Sequence, residues 1–338
     1  KPKLGKYKLS TITSVAINDF ISNLVVEKDL SRTYFKNILK VVKGSFRDAC
    51  NLYGFIKYNP SLTIRLPKID KVESDPKHYY TKEDIDKIIT RFKDNIPFVC
   101  AFITSFYTGL RTGELFALTW DKIDLENGFI YVENSIYDKK DDGKGRWYIG
   151  TTKTKTGTRK IYISELLKTA LTNFKNRQTD LKRLFGKDYK YYHIEEVKNE
   201  YGKVIEKRIV SNSDNEDKLD LVFTRDDGKF TGTDLIKYPF KIIHNELGLE
   251  NYRFYDLRGT YATNLLNNGT IMNEISELMG HSNPSITGKY YISTLEENKK
   301  EAINNLDKIN NSKVINNIIA FGVQVWIMQY LEVVPFIH

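Results

Sequence analysis

The stretch "YNPSLTIRLPKIDKVESDPKHYYTKED", residues 58–84, constrains the fold more than any other part of the chain. It carries Pro60, Pro67 and Pro76 among many charges, and prolines at that density interrupt helices and central strands alike. The 338-residue chain therefore breaks there into separate folding units joined by a linker. Thr81 followed by Asp84 has the spacing of a capping box, which marks the first helix of the second unit. The expected organisation is a small domain over residues 1–75, a linker to about residue 79, and a larger domain from 79 to about 310.

The small domain reads as helical. "SVAINDFISNLV" places Val15, Phe20 and Leu24, and also Ile17 and Ile21, at roughly helical spacing. "SRTYFKNILKVVKGSFRDACNLYGFI" continues the pattern through Phe35, Ile38, Leu39, Val42, Phe46 and Ala49, with Ser31 as candidate N-cap. Residues 1–75 hold 14 Lys/Arg against 7 Asp/Glu, which is most of the formal net charge of +9. A small basic unit of this kind points to a polyanionic partner, with nucleic acid the leading choice over a merely solvated, lysine-rich surface.

Only two cysteines occur, Cys50 and Cys100, both in apolar surroundings. That usage predicts buried free thiols in a reducing compartment rather than a disulfide or a metal site. The polar, basic N-terminus "KPKLGKYKLS" has no signal-peptide pattern, so a cytoplasmic location is expected. The final segment, residues 311–338, is the most apolar, but Asn316, Asn317, Gln324, Gln329 and Glu332 interrupt it too often for a membrane span. It reads as a packing element, on its own core or on a neighbouring subunit.

The second domain opens with the apolar helical run "PFVCAFITSFYTGL", ended by Gly109. A short helix follows, then a strand from Phe129 to Val132 entered through the turn signal Asn127-Gly128. "RWYIGTTKTKTGTRKIYIS" alternates on both sides of Thr156-Gly157 and predicts a hairpin with lysines near its tip. Residues 180–232 read as an insertion holding another hairpin, with strand-like "KVIEKRIV" and "LDLVFTR" and turns at Gly202 and Gly228. Helices resume near residue 233. The fold class is thus α+β and mainly helical.

Four stretches could carry chemistry. In "TGLRTGEL", Arg111 follows the sharp turn at Gly109, and Glu114 can reach back along the new helix to fix it. A guanidinium placed so suits a phosphate, although most arginines at helix starts merely face water. In "YRFYDLRGTYATNLL", Tyr255 and Arg258 lie one turn apart near a helix start, where backbone N–H groups also attract anions; Leu257, Tyr261 and Leu265 form a core stripe. In "TIMNEISELMGHSNP", an apolar stripe of Ile271, Ile275, Leu278 and Met279 ends at Gly280, which leaves His281 just past the helix. The segment "SITGKYY" then returns with Tyr290 and Tyr291. Two arginines, a lysine, a histidine and a tyrosine make a complete metal-free set for phosphoryl transfer. The arginines neutralise charge on the non-bridging oxygens. The tyrosine, with a pKa near 10, needs their field to attack as phenolate. A lysine could protonate the leaving oxygen. No Asp/Glu/His/Cys spacing suggests a metal site, and no cofactor is expected.

The order and wording of "TGLRTGEL", "TKTKTGTRKIYI", "YDLRGTYATNLL" and "LMGHSNPSITGKYY" resemble the tyrosine recombinase family, particularly the integrases of phages and conjugative transposons. The resemblance covers roughly residues 10–310. It implies a helical core-binding domain and a mixed α/β catalytic domain that form a C-shaped clamp on double-stranded DNA at attachment sites. It also implies a 3′-phosphotyrosyl intermediate formed without ATP or metal, a homotetramer on DNA, and a possible accessory DNA-bending or excision factor. Arg111 and Arg258 correspond to the family's two catalytic arginines, Glu114 to the residue supporting the first, and His281 to the final histidine. Lys153 best matches the hairpin lysine, with Lys155 the alternative. The nucleophile falls nine or ten residues after the histidine, which fits Tyr290 and Tyr291; the "SITxxxY" wording favours Tyr291. One position departs from the pattern: Tyr255 stands where relatives usually carry His, and a phenol cannot serve as an imidazolium. The alternatives are a type IB topoisomerase-like enzyme, which shares the chemistry without exchanging partners, and a non-catalytic DNA-binding protein, which needs no nucleophile.

Overall fold

A computed structural model of the protein describes residues 4–28, 30–67, 79–141, 143–152, 157–211 and 218–281. The chain divides into two compact units, Lys1–Pro76 and Lys77–His338. The linker from residue 68 to 78 and the apolar 311–338 tail lie outside the described residues.

The first unit is built on α1 (Ser14–Glu27) and α2 (Arg32–Asn51). Both begin where a hydroxyl can take up an orphan N–H: Thr13 accepts from Ala16 and Ser31 from Tyr34. Of the two apolar series in α1, the one through Ile17 and Ile21 is buried, while Val15 faces solvent. Phe46, Ala49, Ile56 and Ile64 complete that small core. Cys50 is half-buried rather than buried, and its thiol points at the Lys57 carbonyl, 3.7 Å away.

The second unit opens with α3 (Lys82–Arg91), whose Thr81–Asp84 capping box is complete: Asp84 N–H donates to Thr81 Oγ1 and Thr81 N–H to Asp84 Oδ2. Its centre is α4 (Ile96–Thr108), which is buried nearly all round and contacts α5 (Thr112–Leu115), α6 (Glu165–Phe185), α7 (Asp234–Glu246) and α8 (Asp256–Asn267). Phe98, Ala101 and Phe102 are fully buried there. Thr104 and Thr108 sit in the same dry interior because each hydroxyl donates back to a carbonyl one turn earlier, Cys100 and Thr104 respectively. The helix stops at Gly109, whose φ of 60° lies in the left-handed region. A Cβ on Gly109 would fall inside the Tyr261 ring, so this position needs glycine twice over.

Two antiparallel sheets follow. One runs in the order β1 (Ile123–Asp124), β2 (Phe129–Val132), β5 (Arg159–Tyr162). The other runs β3 (Asn134–Asp141), β4 (Lys144–Thr151), β7 (Val204–Ser211), β6 (Tyr192–Lys198). This corrects the hairpin expected around Thr156-Gly157. The segments on either side of that turn are both strands, but β4 pairs with β3 and β5 pairs with β2. Alternation says that a segment is a strand and not which strand it joins. Gly143, at φ 77°, lies between β3 and β4.

The 180–232 stretch also differs in detail. Its first residues belong to the 21-residue α6. A hairpin does form, β6–β7 around Gly202, and joins the second sheet through the pair Tyr148–Arg208. "LDLVFTR" makes only one bridge, Thr119 to Leu221, and is buried as a continuous run at Leu221, Val222 and Phe223. The Leu221 and Val222 carbonyls are met by a side chain instead of a strand. Buried Gln178 on α6 donates to Leu221 and Val222 and accepts the Trp120 indole N–H at 2.6 Å. Finally, α9 (Met272–Met279) packs Ile275 and Met279 against Ala262 of α8, while Ile271, just before the helix, is 60% exposed and outside the expected stripe.

Gly109→Ala combines left-handed strain with overpacking against Tyr261. It is expected to lower the stability of the second unit by about 2–4 kcal/mol, as read by urea unfolding followed by tryptophan fluorescence.

Candidate active site

The last turn of α9 gathers the candidate residues. Helix C-termini leave carbonyls without intrahelical partners and carry partial negative charge. Here three successive carbonyls each receive a different arginine. Arg159 Nε donates to Leu278 O at 2.7 Å, Arg258 Nη2 donates to Met279 O, and Arg111 Nη2 donates to Gly280 O at 3.0 Å. Gly280, at φ 63°, turns the chain, and the His281 N–H returns to Ser276 O at 2.9 Å. His281 Nε2 then lies 3.0 Å from Arg258 Nη2. An arginine only donates, so this nitrogen is the acceptor and the ring proton is assigned to Nδ1.

Each arginine comes from a different element. Arg111 is the N-cap residue of α5, just after the Gly109 turn. Arg258 lies in the first turn of α8, is 1% exposed, and donates through Nη1 to Gly109 O at 2.6 Å. Arg159 begins β5 with a side chain only 7% exposed. The counter-charge is Glu114, whose side chain is 2% exposed. It accepts from Arg111 Nη1 at 2.6 Å, from the Arg111 N–H at 3.0 Å and from Arg159 Nη2 at 2.9 Å. Burial alone pushes the Glu114 carboxyl up; the Arg159 hydrogen bond and charge, followed by Arg111, bring it below the usual carboxylate range. Two guanidinium groups therefore share one carboxylate, with that of Arg258 nearby, and the site is positive.

That field is felt by its members. Burial, then the neighbouring Arg111 charge, lowers Arg258 to about 10, which leaves it charged at neutral pH. Burial, then the charges of Arg258, Arg111 and Arg159, push His281 down to about 4. The imidazole is thus neutral at pH 7 in the unliganded protein. The Arg258 Nε–H is buried and has no partner among the described residues. A donor in that condition suits an incoming acceptor oxygen.

Arg111 and Glu114 line a groove of about 910 Å3 together with Ser135, Tyr137, Thr152 and Tyr255. Tyr255, just ahead of α8, is 46% exposed. Gly113 allows α5 to lie against β3, because a Cβ there would come within 2.8 Å of the Ile136 carbonyl oxygen. Of the residues singled out in the sequence, the structure thus brings together Arg111, Glu114, Arg258 and His281, with Tyr255 in the groove. Lys153, Lys155, Tyr290 and Tyr291 lie outside the described residues. Arg159 was not anticipated. The sequence did hold a signal: Arg159 and Ile161 share one face of β5, Ile161 is fully buried, and an arginine on a buried face calls for a carboxylate partner.

The phage integrase family model matches residues 153–297. The chain is 28% identical over 311 residues to a tyrosine recombinase XerC-like protein of Caldanaerobacter subterraneus, covering 89% of this chain and 72% of that one. It is 26% identical over 306 residues to the ICEBs1 integrase of Bacillus subtilis, covering 90% and 73%. It shares its fold with the Tn1549 transposon integrase in complex with a circular intermediate DNA, at a TM-score of 0.62 and 20% identity over 89% of each chain. With the mixed helix-and-sheet fold and the motif order, these make the chain similar to tyrosine recombinases. Enzymes of this class cut and rejoin DNA.

In the DNA-free protein, NMR is expected to show His281 titrating at about 4 and flat between pH 5.5 and 8. Arg258→Met removes the larger neighbouring charge and is expected to move that titration upward.

Proposed function

We propose that this protein is the site-specific recombinase of a mobile element, joining and releasing its DNA through a covalent link to Tyr291. Site-specific recombination is the activity that the mobile-element relatives support; the roles of Arg111, Glu114, Arg258 and His281 are inferred from the geometry, and those of Tyr291, Lys153 and Lys155 from the sequence resemblance. The observation that carries them is the convergence of Arg111 and Arg258 on the end of α9, beside His281 and with Glu114 as the one buried carboxylate among them.

A DNA phosphodiester entering this positive site would meet donors already held in place. Arg111 and Arg258 would face the two non-bridging oxygens, and their charge is worth most as the phosphorus becomes five-coordinate. His281, neutral at rest, would donate a hydrogen bond from Nδ1–H to a phosphate oxygen without adding another cation to the cluster. Tyr291 loses its proton to solvent under the positive field of the arginines, and its phenolate Oη attacks phosphorus. The P–O5′ bond breaks, and Lys153, or Lys155, supplies the proton of the leaving 5′-oxygen. The bond energy is kept in the phosphotyrosyl ester, so a 5′-hydroxyl from another strand can reverse the step without an external energy source. Tyr255 in the groove would hydrogen-bond a phosphate oxygen, in place of the imidazolium of relatives. The basic first unit would supply backbone phosphate contacts that fix the duplex in register. Exchange between two duplexes calls for four protomers.

A nicked suicide substrate carrying the attachment site, run on a denaturing gel, tests this directly. The wild type is expected to form a covalent adduct that Tyr291→Phe loses and Tyr290→Phe keeps. Loss in Tyr290→Phe alone would reassign the nucleophile. Arg111→Met and Arg258→Met are expected to slow adduct formation by about 10²–10³-fold each. Supercoil relaxation with no recombinant product would favour a topoisomerase, and no adduct on DNA that the wild type binds would overturn strand cleavage.

A further inference from the structure

We infer that Arg159 is a positioning residue for strand cleavage: from outside the groove it holds Glu114 and the end of α9 so that Arg111 and His281 face the scissile phosphate. This rests on the function proposed above, and none of the groove-lining side chains is Arg159.

Every reach of its guanidinium ends on a different part of the site. Nη2 meets Glu114 Oε2 on α5 at 2.9 Å, Nε meets Leu278 O at the end of α9 at 2.7 Å, and Nη1 meets Gly157 O at 3.0 Å. Glu114 in turn gives its other oxygen to the Arg111 guanidinium. The aim of Arg111 therefore depends on a carboxylate that Arg159 steadies from behind. The same arginine fixes the carbonyl two residues before Gly280, and so the turn from which His281 emerges. A lysine could keep the ion pair, but as a single point charge it could not span the three acceptors.

The charged and titratable groups around Glu114 are Arg111 on α5, Arg159 on β5, Arg258 on α8 and His281 beyond α9. In the wild type, the Glu114 pKa lies below the usual carboxylate range, so its stabilising contribution is complete at neutral pH and lost only in stronger acid. Without Arg159 the burial that raises this pKa is opposed chiefly by Arg111. A carboxyl whose folded pKa exceeds its unfolded one contributes more stability as pH falls. The two consequences of Arg159→Met then run in opposite directions between pH 8.5 and 5.5. The Tm deficit relative to wild type shrinks towards acid, while cleavage weakens, because protonated Glu114 releases Arg111.

The experiment measures Tm and adduct formation on the nicked substrate across that pH range for wild type, Arg159→Met, Arg159→Lys and the double variant Arg159→Met/Glu114→Gln, with DNA affinity alongside. Arg159→Met is expected to slow adduct formation by up to about 10²-fold with DNA affinity preserved, and with the opposed pH trends. Arg159→Lys restores the wild-type pH trends but not the full rate. The double variant loses both trends. Adduct formation at the wild-type rate overturns the inference, as does a rate that merely follows Tm. If the wild type binds DNA but forms no adduct, the recombinase reading fails. The melting curves then decide separately whether Arg159 holds Glu114, and a Tm deficit independent of pH overturns that as well.

Discussion

The organising interaction is the capping of one short helix by side chains from three distant parts of the chain. The last carbonyls of α9 need donors, and Arg111, Arg159 and Arg258 supply them, one carbonyl each. Meeting that local requirement fixes α5, β5 and α8 around a single point. The guanidinium groups are thereby clustered at a density that their mutual repulsion would otherwise prevent. Glu114 makes the cluster tolerable, and its burial is tolerable only because two arginines hold it.

The supporting fold explains how residues so far apart in sequence meet. The buried helix α4 ends at a glycine that only a left-handed conformation satisfies, and the chain leaves that turn directly into Arg111. The carbonyl of the same glycine accepts from Arg258. One turn thus sets the position of the first arginine and anchors the second. The packing of Tyr261 against Gly109 ties α8 to the same point.

Most of this arrangement was legible in the sequence, for physical reasons. The capping box at Thr81, the stop at Gly109 and the turn at Gly280 are local signals, and each appears where the residues dictate. Arg111 with Glu114 is likewise a local pair. Strand partnership was not legible, because it depends on distant segments. The run on either side of Thr156-Gly157 looked self-paired until β3 and β2 were available as partners. Arg159 was missed for a related reason: its three acceptors, at Gly157, Glu114 and Leu278, are joined only by the tertiary fold. The buried "LDLVFTR" run resembled a strand because its composition is that of a core segment, yet Gln178 rather than a neighbouring strand completes its hydrogen bonds.

The depressed values at Arg258 and His281 have one further meaning. A fold is normally a set of choices that support one another, and almost every local choice in the second unit agrees with its neighbours. The end of α9 is the exception. There burial first, and the neighbouring positive charges second, hold a cation at about 10 and disfavour the protonated form of an imidazole at about 4. The unloaded site is thus a frustrated patch in a consistent scaffold, and an anion relieves it. Part of what would otherwise be binding energy is already stored as strain between like charges, so the arriving ligand completes the protein's own electrostatics.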